Sequence, residues 1–131
     1  MEIIKTDLNY AILTLGLRKG YTNEVITVDA VYNTLSELQE QLINKDKIYL
    51  SANCYESMIV LSGQVEPHIN LKFINYPRFL IEEVKFRSSV IELSKKMADI
   101  YQQNRVVIEF KDGFVMLQNN AEIDPSIVIG E

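Results

Sequence analysis

Three short stretches of this chain bring cations, aromatic rings and amide donors close enough together to grip a small molecule. Asn75, Tyr76, Pro77, Arg78 and Phe79 set a guanidinium between two rings at a corner that proline stiffens. A planar base stacks on Tyr76 or Phe79, and the Arg78 fork fits a phosphate or carboxylate. Arg18, Lys19 and Tyr21 form the second stretch, and Gln103, Asn104 and Arg105 the third; both read as loop-borne donors. The expected site holds a small anionic, nucleotide-like ligand on Tyr76, Arg78 and Phe79. Arg105, Arg18 and Asn104 are brought in by the fold, in a pocket shared between subunits.

Catalytic equipment is sparse. A base oriented beside a nucleophile would have to be His68, the one histidine, which follows Pro67 and shares a polar strand face with Asn70. One cysteine, Cys54, leaves no internal disulfide framework and no paired-thiolate zinc site. Glu66, His68 and Cys54 lack metal-ligand spacing, so no metal site is expected. The 5 glycines are scattered one per turn and never form a phosphate-cradling loop, so no dinucleotide cofactor is expected either. Glu109 and Lys111 resemble the Glu-x-Lys half of many metal-dependent nuclease sites, which implies a carboxylate holding metal and a lysine steadying the attacking water. The upstream Pro-Asp element of those sites is missing.

What must position these groups is one modest domain. A chain of 131 residues buries about two-thirds of the surface its unfolded form exposes, enough to fold without a staple. Apolar residues at 47% and charged residues at 24% are globular values. The net charge of -5 repels a phosphate backbone, so duplex nucleic acid is not an expected partner. Residues 1–7 alternate charge with aliphatics, and no apolar run approaches the ~18 residues of a membrane span. A cytoplasmic protein without membrane contact is the expectation.

The periodicity supplies the elements. Residues 10–17 alternate as a strand, and Gly20 offers a positive-φ turn before β-branched 25–28, which reads as the return strand. Val31, Leu35, Leu38 and Leu42 mark a helix capped by Thr27 or Asp29 and stopping near Asn44. Strands follow over 48–55 and 58–61, then, after Ser62 and Gly63, from Pro67 with Ile69, Leu71 and Phe73 on one face. Phe86, Val90, Leu93, Met97 and Ile100 mark a second helix. Strands over 105–110 and 114–118 close through Lys111, Asp112 and Gly113, where Asp-Gly favours a type I′ turn. The order ββ-α-βββ-α-ββ, with short connections, predicts an α+β fold: two layers, a largely antiparallel sheet, and both helices on one face.

The domain is expected to span 1–118. The tail, 119–131, carries Ile127, Val128 and Ile129 and should dock on a sheet edge or a second copy. The profile suits a non-enzymatic homo-oligomer of phage or mobile-element type that sequesters an anionic signalling nucleotide. The alternative is a module that binds a host protein through a sheet edge, with Tyr49, Asn53 and Tyr55 at the contact. A nuclease built on Glu109 and Lys111 is the third reading.

Overall fold

A computed structural model describes residues 1–120. The chain is α+β: β1 (Tyr10–Gly16), α1 (Val28–Asp46), β2 (Ser51–Leu61), β3 (Gln64–Ile74), α2 (Glu83–Ile100), β4 (Arg105–Phe110) and β5 (Gly113–Gln118), with a single 3-10 turn at Pro77–Phe79. The strands make one antiparallel sheet in the order β2-β3-β1-β4-β5.

Strand alternation decides which face is covered. Ala11, Leu13 and Leu15 of β1 stand opposite Phe73, Leu71 and Ile69 of β3, while Ala11 and Leu13 also face Phe110 and Ile108 of β4. All of these are buried. They form one core with Val31, Leu35 and Leu38 of α1 and Phe86, Val90, Leu93 and Met97 of α2, the stripes that steps of three and four require. Ile100, expected at the end of the second stripe, is 48% exposed, and Tyr101 takes the buried place just past the helix. Among the described residues the opposite sheet face carries no helix.

Local chemistry sets the ends. Thr27 caps α1, its Oγ1 accepting from the Ala30 N–H at 3.2 Å. The helix runs two residues past Asn44 and stops where Lys47 turns left-handed, at φ 56. The Lys47 and Ile48 N–H groups then donate to the Ile43 and Leu42 carbonyls.

Three local expectations differ from what forms. The strand expected over 25–28 is reduced to one bridge, Arg18 with Val25, because Val28 is already helical. The two strands expected over 48–55 and 58–61 run as one, β2, whose pairing with β3 is unbroken from Ser51 to Leu61. The type I′ geometry belongs to Ser62–Gly63, at φ 47 and 87, and not to Lys111–Asp112, which keep negative φ. Gly113 follows that second loop as the first residue of β5, so Asp112 is not forced left-handed. The docking expected of the tail beyond Asn120 falls outside the described residues. Among those residues no helix is long and apolar enough to cross a membrane.

Candidate functional site

At one end of the sheet, where β1 finishes and β3 and β4 begin, the loop after Gly16 folds over the strand ends. Leu17 donates its N–H to the Pro67 carbonyl at 3.1 Å, and Lys19 to Glu24 at 2.9 Å. Gly20 turns at φ +57, a conformation that suits glycine, and its N–H reaches the Tyr101 carbonyl at 3.3 Å. Gln103 locks the same loop from the other side, donating Nε2 to the carbonyls of Arg18 at 2.7 Å and Tyr101 at 3.1 Å.

A cavity of about 260 Å³ opens beneath this loop, with Arg18, Tyr21, Glu66, His68, Gln103 and Arg105 in its wall and Gly16 in its floor. The alternation that sends Leu15, Ile69 and Val106 into the core sends Gly16, His68 and Arg105 to the other face. A β-carbon on Gly16 would stand 2.9 Å from Gln103 Oε1 and 3.7 Å from His68 Nε2, so glycine is what leaves room. His68 Nδ1 lies 3.0 Å from the Glu66 carbonyl oxygen. A carbonyl only accepts, so Nδ1 donates this bond, and Nε2 is the ring nitrogen on the side of Gly16. Asn104 stands behind the wall, donating Nδ2 to the Tyr21 hydroxyl at 3.0 Å and to the Asn120 carbonyl at 3.3 Å. Guanidinium, carboxylate, imidazole, phenol and amide thus surround one small space. Such a set suits a guest that carries charges of both signs together with hydroxyl or ring-nitrogen groups.

Arg18, Asn104 and Arg105 meet at this end, whereas Tyr76, Arg78 and Phe79 lie at the other. They follow the last residue of β3, and the cavity adjoins its first half; the seven steps from Pro67 to Ile74 span roughly 23 Å. The six residues expected to share a ligand therefore do not enclose one space within a chain. At the far corner Phe79 stacks on Tyr49, centroids 4.5 Å apart, with Tyr76 tilted at 6.3 Å and the Arg78 guanidinium 5.8 Å over the Phe79 ring. Asn75 pins this corner, its amide donating to the Ile81 carbonyl at 2.9 Å and accepting from the Ile81 N–H at 3.2 Å.

Glu66 and His68 gain importance that their sequence positions understate, and they join Tyr21 and Gln103, which their loops already marked as donors. Glu66 and His68 share a strand face by alternation, the one signal available, but nothing local brings the 18–25 loop over them.

The sheet face away from the helices holds a second polar group. Tyr10 donates to Glu109 at 3.3 Å beneath the Lys72 ammonium, 5.1 Å from its ring centroid. Desolvation, then the Glu109 charge and hydrogen bond, push the Tyr10 phenol up from its ordinary pKa. Thr14 donates to Asn70 at 2.9 Å, and Asn70 to Ser57 at 2.7 Å. Lys111 does not join Glu109: it pairs with Glu83 of α2 at 3.4 Å, so the nuclease-like pair is taken apart. Burial pushes the Cys54 thiol up, away from thiolate. Among the described residues no three His, Cys, Asp or Glu side chains gather as a metal site would need.

No protein-family model matches the sequence, and no curated protein matches it. The fold has solved counterparts. A phage SAM lyase in complex with S-methyl-5'-thioadenosine superposes with a TM-score of 0.67 at 16% identity, over 94% of this chain and 98% of that one. A phage SAM lyase in the apo state gives the same TM-score at 15% identity, with the same coverage. This chain therefore has the α+β fold of a phage protein that carries a small bound ligand.

Proposed function

We propose that this chain is a phage-type protein that binds a sulfur-bearing adenosine, S-adenosylmethionine or its thioether product, in the cavity between the 18–25 loop and the starts of β3 and β4. The observation that carries this reading is the convergence of Arg18, Tyr21, Glu66, His68, Gln103 and Arg105 on one space, in a fold shared with a protein that holds S-methyl-5'-thioadenosine. The chemistry matches group by group. Arg18 and Arg105 suit the carboxylate, Glu66 and the Tyr21 ring suit the ammonium and sulfonium, and Gln103 and His68 suit the ribose hydroxyls. The expected anionic, nucleotide-like ligand becomes a nucleoside with a zwitterionic arm.

The cavity of about 260 Å³ lies just under the roughly 300–1,000 Å³ of small-molecule sites, so a nucleoside with its amino-acid arm fills it and protrudes. A second copy of the chain closes the mouth, and the working form is a homo-oligomer. Isothermal calorimetry with S-adenosylmethionine and S-methyl-5'-thioadenosine tests the reading: saturable heat is expected, with the affinity for S-adenosylmethionine weakened in Arg105→Ala. The absence of heat with both compounds overturns it.

Sequestration is the first reading of the biological work. Turnover is the second, favoured by the structural likeness to a lyase. The carboxylate oxygen of the amino-acid arm bonds to its own γ-carbon as the bond from that carbon to the sulfonium sulfur breaks, so the arm leaves as a lactone and the sulfur keeps the bonding pair as the neutral thioether of S-methyl-5'-thioadenosine. Chromatography of S-adenosylmethionine incubated with the protein separates the two, since only turnover makes the thioether accumulate beyond one equivalent.

A further inference from the structure

We propose that residues 18–25 form a hinged lid over the cavity, latched by the Asn104 carboxamide, and that the backbone of Asn120 holds the latch in place. The proposal adds regulation to the candidate site and rests on the proposed ligand only for its release-rate measurement.

The lid has buried feet and an exposed body. Leu17 and Ile26 lie in the core, and the Ile26 N–H donates to the Leu17 carbonyl at 2.9 Å. No residue of 18–25 belongs to that core, and Arg18 and residues 21–25 are exposed. The body keeps its own shape. Lys19 donates its N–H to the Glu24 carbonyl at 2.9 Å, and Thr22 donates both its N–H and its hydroxyl to the Lys19 carbonyl. A segment stiffened within itself and poor in apolar contacts opens as a unit, ahead of the core.

Ties from the lid run to one post, residues 101–104, which the Gln103 N–H fastens to the Ala98 carbonyl of α2 at 2.8 Å. Gly20 donates its N–H to the Tyr101 carbonyl at 3.3 Å, Gln103 Nε2 reaches the Arg18 carbonyl at 2.7 Å, and Asn104 Nδ2 reaches the Tyr21 hydroxyl at 3.0 Å. Such polar contacts at the surface can be exchanged for water, so they close a lid without sealing it. Arg18 and Tyr21 belong to the cavity wall, so a lifted lid takes both away from a guest.

The same Asn104 grips the chain that leaves β5. Its carbonyl accepts the Asn119 N–H at 2.8 Å, its Oδ1 accepts the Asn120 N–H at 3.2 Å, and its Nδ2 reaches the Asn120 carbonyl at 3.3 Å. The Asn120 backbone therefore fixes which way the carboxamide faces, and the second Nδ2 hydrogen is aimed at Tyr21. Neither Asn104 nor Asn120 lines the cavity. Asn104 acts on a guest through Tyr21, as a positioning residue. Released from Asn120, the carboxamide turns and its hold on Tyr21 weakens.

Amide hydrogen exchange of the unliganded chain, resolved by residue with nuclear magnetic resonance, tests this. Gly20 reports the lid because its N–H bridges lid and post, whereas Lys19 is bonded inside the lid and Ile26 at its foot. Tyr21→Phe and Asn104→Ala are each expected to speed exchange at Gly20 about three- to tenfold, the scale of one exposed hydrogen bond, with Lys19 and Ile26 unchanged. Asn120→Pro removes the N–H that Oδ1 accepts and should act in the same direction from outside the cavity. Added to Tyr21→Phe it should change nothing further, because both cut one latch. Equal acceleration at Gly20 and Ile26 overturns the lid, since loop and core then open together. An unchanged Gly20 in Tyr21→Phe overturns the latch, and an additive double variant overturns its control by Asn120. Stopped-flow release of S-methyl-5'-thioadenosine should be about three- to tenfold faster in Asn120→Pro. The exchange contrast without nucleoside binding leaves the lid standing and removes the ligand; binding without the contrast does the reverse.

Discussion

Gln103 occupies the space that a side chain on Gly16 would need: its Oε1 stands 2.9 Å from the β-carbon position of that glycine, while its Nε2 holds the Arg18 carbonyl at 2.7 Å. One amide thus ties the strand end, the helix end and the loop over the cavity together. Gly16→Ala is expected to push this amide aside and cost about 1 kcal/mol, a melting shift of about 3–6 °C. In a Gln103→Ala background the same substitution should cost much less, because the clash is gone. A thermal double-mutant cycle reads the difference; additive costs would mean the two residues are not coupled.

The two ends of the sheet respond differently to loss of an arginine. Arg105→Ala should weaken binding of S-adenosylmethionine, which carries the carboxylate, about 10- to 100-fold, the scale of a lost charged hydrogen bond. Arg78→Ala, at the corner beyond β3, should leave the affinity within about twofold. Calorimetry on both variants measures this, and the opposite order would move the site to the Tyr76–Phe79 corner.

Asn75 answers for the corner's stability. Its side chain satisfies both the N–H and the carbonyl of Ile81 from a buried position. Asn75→Ala leaves those groups without their partner and should cost about 2 kcal/mol, with ligand affinity at the far cavity unchanged. Urea unfolding followed by circular dichroism gives the cost. A loss under about 0.5 kcal/mol would show that water replaces the amide.

Arg87 reaches Asp112 at 2.6 Å and Glu83 at 3.3 Å. The Arg87 hydrogen bond holds the Asp112 carboxyl below its ordinary pKa, and the neighbouring charges of Arg87 and Lys111 add to it. A depressed carboxylate contributes stability above its unfolded pKa of about 4, and that contribution is lost as the pH falls through the lower folded value. Asp112→Asn should therefore flatten the acid limb of the stability curve below about pH 4 and leave its shape unchanged above about pH 5, apart from the constant loss of the pair. With Asp112 well exposed the effect is small and should fade in high salt. Melting temperatures from pH 2 to 7 at two salt concentrations read it, and an acid limb unchanged in Asp112→Asn would sink it.

Much of the architecture was legible in the order of residues. Alternation at Ala11–Leu15 and Ile69–Phe73, and the steps of three and four at Val31–Leu38 and Phe86–Met97, are local patterns that burial rewards wherever the segments end up. They gave the antiparallel α+β sheet with two helices on one face. The missed return strand shows the limit: β-branched 25–28 suits a strand, but Thr27 captures the Ala30 N–H and starts a helix first. The candidate site was readable in part. Sequence picked out Arg18, Asn104 and Arg105 as donors on separate loops, and it also picked out Tyr76, Arg78 and Phe79. Composition is blind to which end of a strand a loop occupies, whereas the β3-β1-β4 register puts Arg18 and Arg105 beside His68 and leaves Arg78 a strand's length away. That choice belongs to the tertiary structure, because convergence depends on hydrogen-bonded register between segments some 50 to 90 residues apart, which no local periodicity encodes.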